Sequence, residues 1–593
     1  MVYAATEMFL ALVLIFWMLK KFKYIKLVEV KKVIGNNIKI LPILILPFIQ
    51  WCVLAYIFSL GPQIIYGVEF SIKLYFFSFI IALISSLPIS IAGFGLRELA
   101  CVMLFDTFGL TQTEALTLSL IVGIGSIGSI AFLFFLKQYW VRFLQKIQSN
   151  NKNQIENGII HNILIDNLLF KGLILLASVL ICFQFHFSSG LYTINVNLAD
   201  PVAAVGFVYC VLHLIQKQWN ELQGFPLFWF ASITTALGIG ILTAFFKTDI
   251  SNFGAINKGL GFLILTGYSY LGFFSIKKLS NSILSTIAEL QVISLIIISL
   301  WKFVVMIGVS YDILPKILLL HSEFEGFSQD RNAFGFILTI LILALHHVNI
   351  FDNFSTTKRD QVAGFLTYVV YLTHSKTAII SLSILYIFMI LTHRLSFKKI
   401  ITYGAFSLGF HAITVIACSG LSCMKFMQLE FIKAPTYGIL QDFTSESSMH
   451  ERMNSIYTGL TLFIKNPIFG AGLGNFKELW IRMHGHALII HNSFVWILAE
   501  MGLIGFCLIF TTPIKWGWHI IKGVERLNKI KTETTFFLGL SLLFILFSIP
   551  QDVFYQRILW FWLGINFALQ PHIFDQSKTV ISCLNRIKSF KIR

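Results

Sequence analysis

Apolar runs of about 20 residues recur along this chain, separated by short polar loops, and no other feature restricts the fold as strongly. Coiled as a helix, such a run matches the hydrocarbon thickness of a bilayer. With 56% hydrophobic and only 12% charged residues among 593, the chain carries more apolar side chain than a water-soluble core could enclose. Backbone polar groups in lipid must bond within their own segment, so the spans are expected to be helices. The sequence predicts an all-α polytopic membrane protein with about 16 transmembrane or broken helices.

Loop charge sets the expected orientation. A net charge of +17 would suit a nucleic-acid binder if its cations shared one surface, but they sit in short loops between apolar runs. Positive-inside topology and attraction to anionic lipids account for that placement. Membrane lipids are therefore expected as partners and nucleic acid is not. Met1–Lys20 has neither a basic start nor a small-residue cleavage site, so no cleavable signal peptide is expected. The eight cysteines show no metal-ligand spacing. Cys418 and Cys423 are the only near neighbours, and two small residues at a helix end are favoured over a disulfide.

Taken in order, spans are expected near 3–19 and 39–59. Between Ser71 and Gly128 the apolar run is interrupted by Pro88, Gly93 and Gly95, with Arg97-Glu98 at the break. This segment, P-I-S-I-A-G-F-G-L-R-E followed by E-A-L-T-L-S-L, resembles the membrane region of lysylphosphatidylglycerol synthases and their flippase-like relatives. Only about half of that module's spans are present, which favours a docking bundle over independent transport. The expected organisation is a partial flippase-like bundle at 1–148, a cytoplasmic linker at 149–160, a membrane domain at 161–572 and a basic cytoplasmic tail at 573–593.

Twelve spans are expected in the membrane domain, near 164–184, 196–216, 225–246, 257–276, 285–309, 333–350, 362–374, 377–393, 399–418, 491–512, 534–549 and 557–571. Starting inside at the linker, alternation puts Lys277-Lys278, Lys358-Arg359, Arg394 to Lys399 and Lys515 to Lys531 in the cytoplasm. It puts the loop 419–490, between spans nine and ten, outside. On this topology Asp330-Arg331-Asn332, His374 to Thr377, Arg452, His491 and Arg557 share the outer face. Cations at that boundary suit the pyrophosphate of a lipid-linked sugar, Arg through its forked donors and Lys as a point charge.

Within Glu451 to Gly505 a helix bearing Arg452 meets a stop at Pro467 and a turn on Gly470, Gly472 and Gly474; His491-Asn492 then stand before an apolar helix carrying Glu500. The glycines read as turn formers that let backbone amides approach an anion. No Gly-Lys-Ser/Thr follows, so this is not a P-loop. His484 and His486 read as loop residues. The pattern R…P-x-x-G-x-G-x-G-N-F…H-N-S…E-M-G-L-x-G resembles the signature of the O-antigen ligase/O-antigen polymerase family of membrane glycosyltransferases. Two further segments resemble it: G-x-x-x-D-x-N-x-x-G at Asp330, Asn332 and Gly335, and T-H-S-K-T-A, where members carry Ser-Arg or Ser-Lys.

The resemblance implies a GT-C-like module of 12 spans with one long periplasmic loop, in a bacterial inner membrane. It implies inverting, metal-independent transfer of a glycan from undecaprenyl diphosphate to a glycan or lipid A-core acceptor, with no cofactor. Lys376, Arg452 and Arg331 would hold the donor diphosphate and His491 would assist the acceptor hydroxyl. Asp330, Asn332, Gly470, Gly472, Gly474, Asn492 and Glu500 would shape the site. Read without the resemblance, the outer loops contain no DxD, HExxH or paired-Cys motif, so metal-dependent nucleotide-sugar chemistry is not expected. A lipid or polysaccharide transporter is the alternative of another class, favoured by Arg97-Glu98, although a transporter expects its sites near the midplane. A protein O-oligosaccharyltransferase shares the ligase motifs.

Overall fold

The computed structural model describes residues 170–189, 192–216, 222–247, 253–279, 282–310, 324–328, 330–348, 356–419, 446–486, 488–527 and 532–570, with scattered positions between 55 and 119. The first expected spans, the Arg97-Glu98 break, the linker, Cys423 and the basic tail lie outside the described residues. Helices run over Phe170–Leu180 (α1), Asp200–Ile215 (α2), Leu227–Lys247 (α3), Phe253–Leu279 (α4), Ser282–Ser310 (α5), Arg331–His347 (α6) and Thr356–Leu372 (α7). They continue over Lys376–Leu391 (α8), Phe397–Ser419 (α9), Glu446–Lys465 (α10), Asn475–His484 (α11), Ser493–Leu527 (α12), Thr532–Ser548 (α13) and Arg557–Leu569 (α14). Each expected span of residues 161–572 has its helix. Leu227–Phe246, Asn257–Lys278, Ile283–Val305 and Ser493–Ile520 are long and apolar enough to cross a membrane by themselves.

Two features depart from the expected pattern. A two-stranded hairpin, Gln184–Ser189 (β1) with Tyr192–Asn197 (β2), separates α1 from α2. The long loop before span ten holds α10, the expected helix bearing Arg452, and departs only in adding the short α11 after the glycine turn.

The chain divides into two compact units, Thr6–Leu180 with Ile194–Ala204, and Met1–Ala5 with Ile181–Thr193 and Val205–Arg593. In the first, Phe58, Leu74, Ile81, Phe105 and Leu118 form a buried cluster. A capping box starts one of its helices: the Thr111 amide donates to Glu114 Oε2 at 2.7 Å, and the Glu114 amide donates to Thr111 Oγ1 at 3.4 Å.

In the second unit, α4 and α14 cross so closely that a Cβ on Gly564 would lie 1.9 Å from the Ser269 carbonyl oxygen. Ser269 Oγ donates to the Trp560 carbonyl at 2.9 Å across the same crossing. Small residues permit such backbone approach between helices in lipid, where hydrophobicity gives no preference for association. Trp229 stacks on Trp560 and meets Trp516 edge-on, which joins α3 and α12 to that pair. The apolar flanks of α8 and α9, at Ile387, Leu391, Ile401 and Leu408, stay exposed, as lipid-facing residues should.

Helix length shapes one face. α6, α8, α13 and α14 contain 17, 16, 17 and 13 residues. They are therefore roughly 20–26 Å long, short of a bilayer core of about 30 Å. α4 and α5 contain 27 and 29 residues. Trp562 Nε1 of α14 donates to Gln291 Oε1 of α5 at 3.1 Å, yet α14 begins at Arg557 whereas α5 runs on to Ser310. The short helices form a floor and the long ones rise past it as walls. At the opposite end Arg394 Nη1 donates to Thr532 Oγ1 at 2.9 Å, and Lys399 pairs with Asp360 at 3.7 Å. Loop parity expects this basic end in the cytoplasm.

Candidate functional site

Three floor helices begin on a cation. Arg331, Lys376 and Arg557 are the first residues of α6, α8 and α14, and none of these helices has an acid in its first turn. A helix N-terminus is already electropositive and normally favours a carboxylate, so a cation there opposes the dipole. Caps hold two of the starts. Asp330 Oδ1 accepts from the amides of Asn332 and Ala333 at 2.7 and 3.3 Å, and Ser375 Oγ accepts from the Ala378 amide at 3.1 Å. Ser375 Oγ donates to Asn332 Oδ1 at 2.5 Å, which ties the α6 and α8 starts together. Gly335 allows the contact, because a Cβ there would fall 2.4 Å from that of Ala378.

The eight-residue turn 549–556 joins this floor to His491-Asn492. Gln551 Nε2 donates to Asp330 Oδ2 at 2.6 Å. Asn492 Nδ2 donates to the Ile549 carbonyl at 2.9 Å, while its Oδ1 accepts from the Val495 amide at 2.9 Å and caps α12. Ser493 Oγ lies within hydrogen-bond range of Asp552 Oδ1, at 3.3 Å, and accepts from the Val553 amide at 3.0 Å. Asp330, Asn332 and Asn492 are therefore brought into one network.

His491 is half-buried at the edge of this network, and its amide donates to Ser455 Oγ at 3.5 Å. Ser455 in turn donates to the Arg452 carbonyl at 2.8 Å, which links His491 to the helix bearing that arginine. Burial, then Arg452, hold the imidazole below its ordinary value, and the carboxylates of Asp330, Glu451 and Asp552 draw it part of the way back. At neutral pH the ring is thus a free base. His484 and His486 lie apart from it on the α10–α11 surface, where His486 Nε2 meets Glu451 Oε1 at 2.9 Å and His484 packs on Trp480.

The glycine turn serves a different purpose from the expected anion cradle. α12 breaks at Gly502, whose φ of 65° and ψ of −168° are not helical. The break is sharp: the rings of Phe494 and Phe510 are 5.4 Å apart, although a straight helix would separate these residues by about 24 Å. Such a break strands backbone groups, and the turn takes them up. Ala471 and Gly472 donate to the carbonyls of Ala499 and Glu500 at 2.9 and 3.1 Å. Leu503 and Ile504 donate to the carbonyls of Pro467 and Ile468 at 2.9 and 3.2 Å. The Gly470 amide donates to Asn466 and the Leu473 amide to Gly240. These amides are engaged within the protein, so the turn splices a broken helix rather than cradling an anion.

Glu500 completes the splice. It is 3% exposed; Oε2 accepts from Trp496 Nε1 at 2.7 Å, and the carboxylate faces the amides of Gly474 and Phe476 at the start of α11. α11 has no side-chain cap of its own, since Gly474 is its N-cap. Glu500→Ala would leave three buried donors without an acceptor, at about 1–3 kcal/mol each. A fall in unfolding temperature well beyond that of Glu500→Gln, which keeps one acceptor oxygen, is the expected result in detergent-solubilised protein.

The folded-back α12 borders, with α13 and α14, an apolar chamber of about 710 Å³ lined by Phe494, Phe506, Phe510, Phe537, Phe544 and Phe554. Sequence reasoning named Arg331, Lys376, Arg452 and His491 but passed over Gln551, Asp552, Ser493 and Lys258. The signal for the first two was the Gln551-Asp552 pair in a short turn on the same parity side as His491. Lys258, in the first turns of a span, was the other available cue.

Residues 362–510 match the family described as O-Antigen ligase. This region runs from α7 into α12 and contains Lys376, Arg452, the glycine turn, His491 and Glu500. The chain therefore carries an O-antigen ligase-type region, the mark of a glycosyl-transferring membrane protein. No curated protein matches the chain. The resemblance of residues 1–140 to flippase-like proteins rests on their own motif.

Proposed function

Starting from the ligase-family match over residues 362–510, we propose that the chain transfers a glycan from a lipid diphosphate, undecaprenyl diphosphate, to a hydroxyl acceptor at the periplasmic face of the inner membrane. Arg331, Lys376 and Arg452 bind the diphosphate, and His491 takes the acceptor's proton. The acceptor oxygen attacks the anomeric carbon, the bond from that carbon to the diphosphate oxygen breaks with inversion, and the lipid diphosphate departs. No metal is needed, because fixed cations and helix ends stabilise the leaving group's charge. The acceptor is a lipid A-core or a second lipid-linked repeat.

The observation that carries this reading is the tie between two helix starts, Ser375 Oγ donating to Asn332 Oδ1 at 2.5 Å, which brings the Arg331 and Lys376 ends together. Helix N-termini beside cations are favourable places for an anion. The apolar chamber bordered by α12, α13 and α14 suits isoprenoid units of the lipid. Residues 1–148 are assigned to a separate accessory bundle.

Transfer assayed with purified protein and diphosphate-linked glycan tests the reading. Lys376→Ala and Arg452→Ala are each expected to cost about 2–5 kcal/mol, tens- to thousands-fold in donor use, while Lys376→Arg retains much of it. Wild-type turnover by Lys376→Ala would make that residue a helix-end anchor only. Glycans of a deletion strain identify the acceptor: loss of long chains from lipid A-core marks a ligase, and a single repeat capping the core marks a polymerase. Loss of protein glycans marks an oligosaccharyltransferase.

A further inference from the structure

Lys258 sits in an enclosed aromatic and acidic setting. Its Nζ is 3.3 Å from Asp552 Oδ2, 4.4 Å from the ring centre of Trp496 and 4.5 Å from that of Tyr555. The Tyr555 hydroxyl donates to the Lys258 carbonyl at 2.9 Å, so the residue is gripped at both ends. The Asp552 side chain is 7% exposed and that of Lys258 25%. A buried carboxylate with one cationic partner exerts a long-range field as soon as that partner is lost. Asp552 is also one of three residues of the 549–556 turn that meet Ser493, two positions after His491, with the Gln551 carbonyl and the Val553 amide, and the Gln551 side chain holds Asp330.

We propose that Lys258 and Asp552 form a positioning clamp that fixes the 549–556 turn against the start of α12 and balances the charge felt by His491, without either group touching substrate. The clamp rests on the proposed role of His491 as base. Its surroundings are closed. Glu451 and Arg452 face His491 from α10, Asp330 from the start of α6 and Asp552 from the turn. Around Lys258 itself stand Asp552, Tyr555, Glu500 from α12 and Lys477 from α11. Lys258→Met therefore leaves Asp552 as an uncompensated anion whose field favours the imidazolium, and Asp552→Asn does the reverse. Lys258→Arg keeps the charge and the cation–π geometry.

The test reads His491 directly and needs no substrate. Diethyl pyrocarbonate modifies only the neutral imidazole, and mass spectrometry of the purified full chain gives its extent at His491 across pH. The midpoint is expected to rise by about 0.5 unit in Lys258→Met, to stay at the wild-type value in Lys258→Arg and to fall in Asp552→Asn. The double variant Lys258→Met/Asp552→Asn decides the cause: a clamp of charges returns its midpoint to wild type or below. A midpoint that stays raised in the double variant means the turn has loosened and let water in, which overturns the charge balance. An unmoved midpoint in Lys258→Met overturns the clamp outright. Because the readout is independent of turnover, absence of glycan transfer by wild type would count against the proposed function and not against the clamp.

Discussion

Replacing His491 by alanine is expected to lower glycan transfer roughly 10²–10⁴-fold, the usual worth of general-base assistance, while lipid-linked donor still binds. As the glycosidic bond forms, the acceptor oxygen becomes positively charged and must lose its proton. A neutral imidazole is the side chain whose ordinary range is closest to working pH. Burial and Arg452 hold His491 below that range, against the pull of Asp330, Glu451 and Asp552. The base is therefore already free at neutral pH, and the acid-side fall in transfer should set in below the pH at which an ordinary imidazole protonates. The same Arg452 that disfavours the imidazolium favours the departing diphosphate, so one charge serves both steps. Donor affinity and single-turnover rate measured side by side are the check. Undiminished turnover in His491→Ala would remove the base, and lost donor binding with residual turnover would move His491 to the phosphate site.

Gly502→Ala is expected to abolish stable folding of the site, at a cost on the order of 4 kcal/mol or more. A Cβ at this position would lie 2.4 Å from the Ile468 carbonyl oxygen and 2.5 Å from the Gly470 nitrogen, and the φ of 65° is one L side chains seldom adopt. Backbone cannot move aside without parting the four hydrogen bonds between 467–472 and 499–504. Gly485 supplies the control. Its φ is 74°, but nothing lies within 4 Å of where its Cβ would be. Gly485→Ala should therefore cost only the conformational part, about 1–2 kcal/mol. Thermal unfolding and size-exclusion profiles in detergent compare the two. Equal behaviour would mean that the splice at Gly502 does not hold the site together.

Much of this protein is legible from its sequence, for a physical reason. Lipid leaves the backbone no solvent partner, so each apolar run becomes a helix, and every span expected in 161–572 has one. Loop parity puts Arg394 and Lys399 on one side and Arg331, Lys376 and Arg557 on the other; in the fold the last three begin α6, α8 and α14. Local chemistry also showed in Asp330 and Ser375, whose side chains cap the helices that follow them. What the sequence left undecided is where a polar group's partner lies when that partner is distant along the chain. The glycine turn read as an anion cradle because its amides seemed available. Only the fold shows that the broken backbone of α12, some thirty residues on, takes them up. Lys258 and Asp552 are 294 residues apart, and neither shows a local pattern, yet packing of α4 on the 549–556 turn brings them to 3.3 Å. Hydropathy is a property of each segment and can be read one segment at a time. Charge balance at His491 is a property of four segments meeting, and it exists only once they have met.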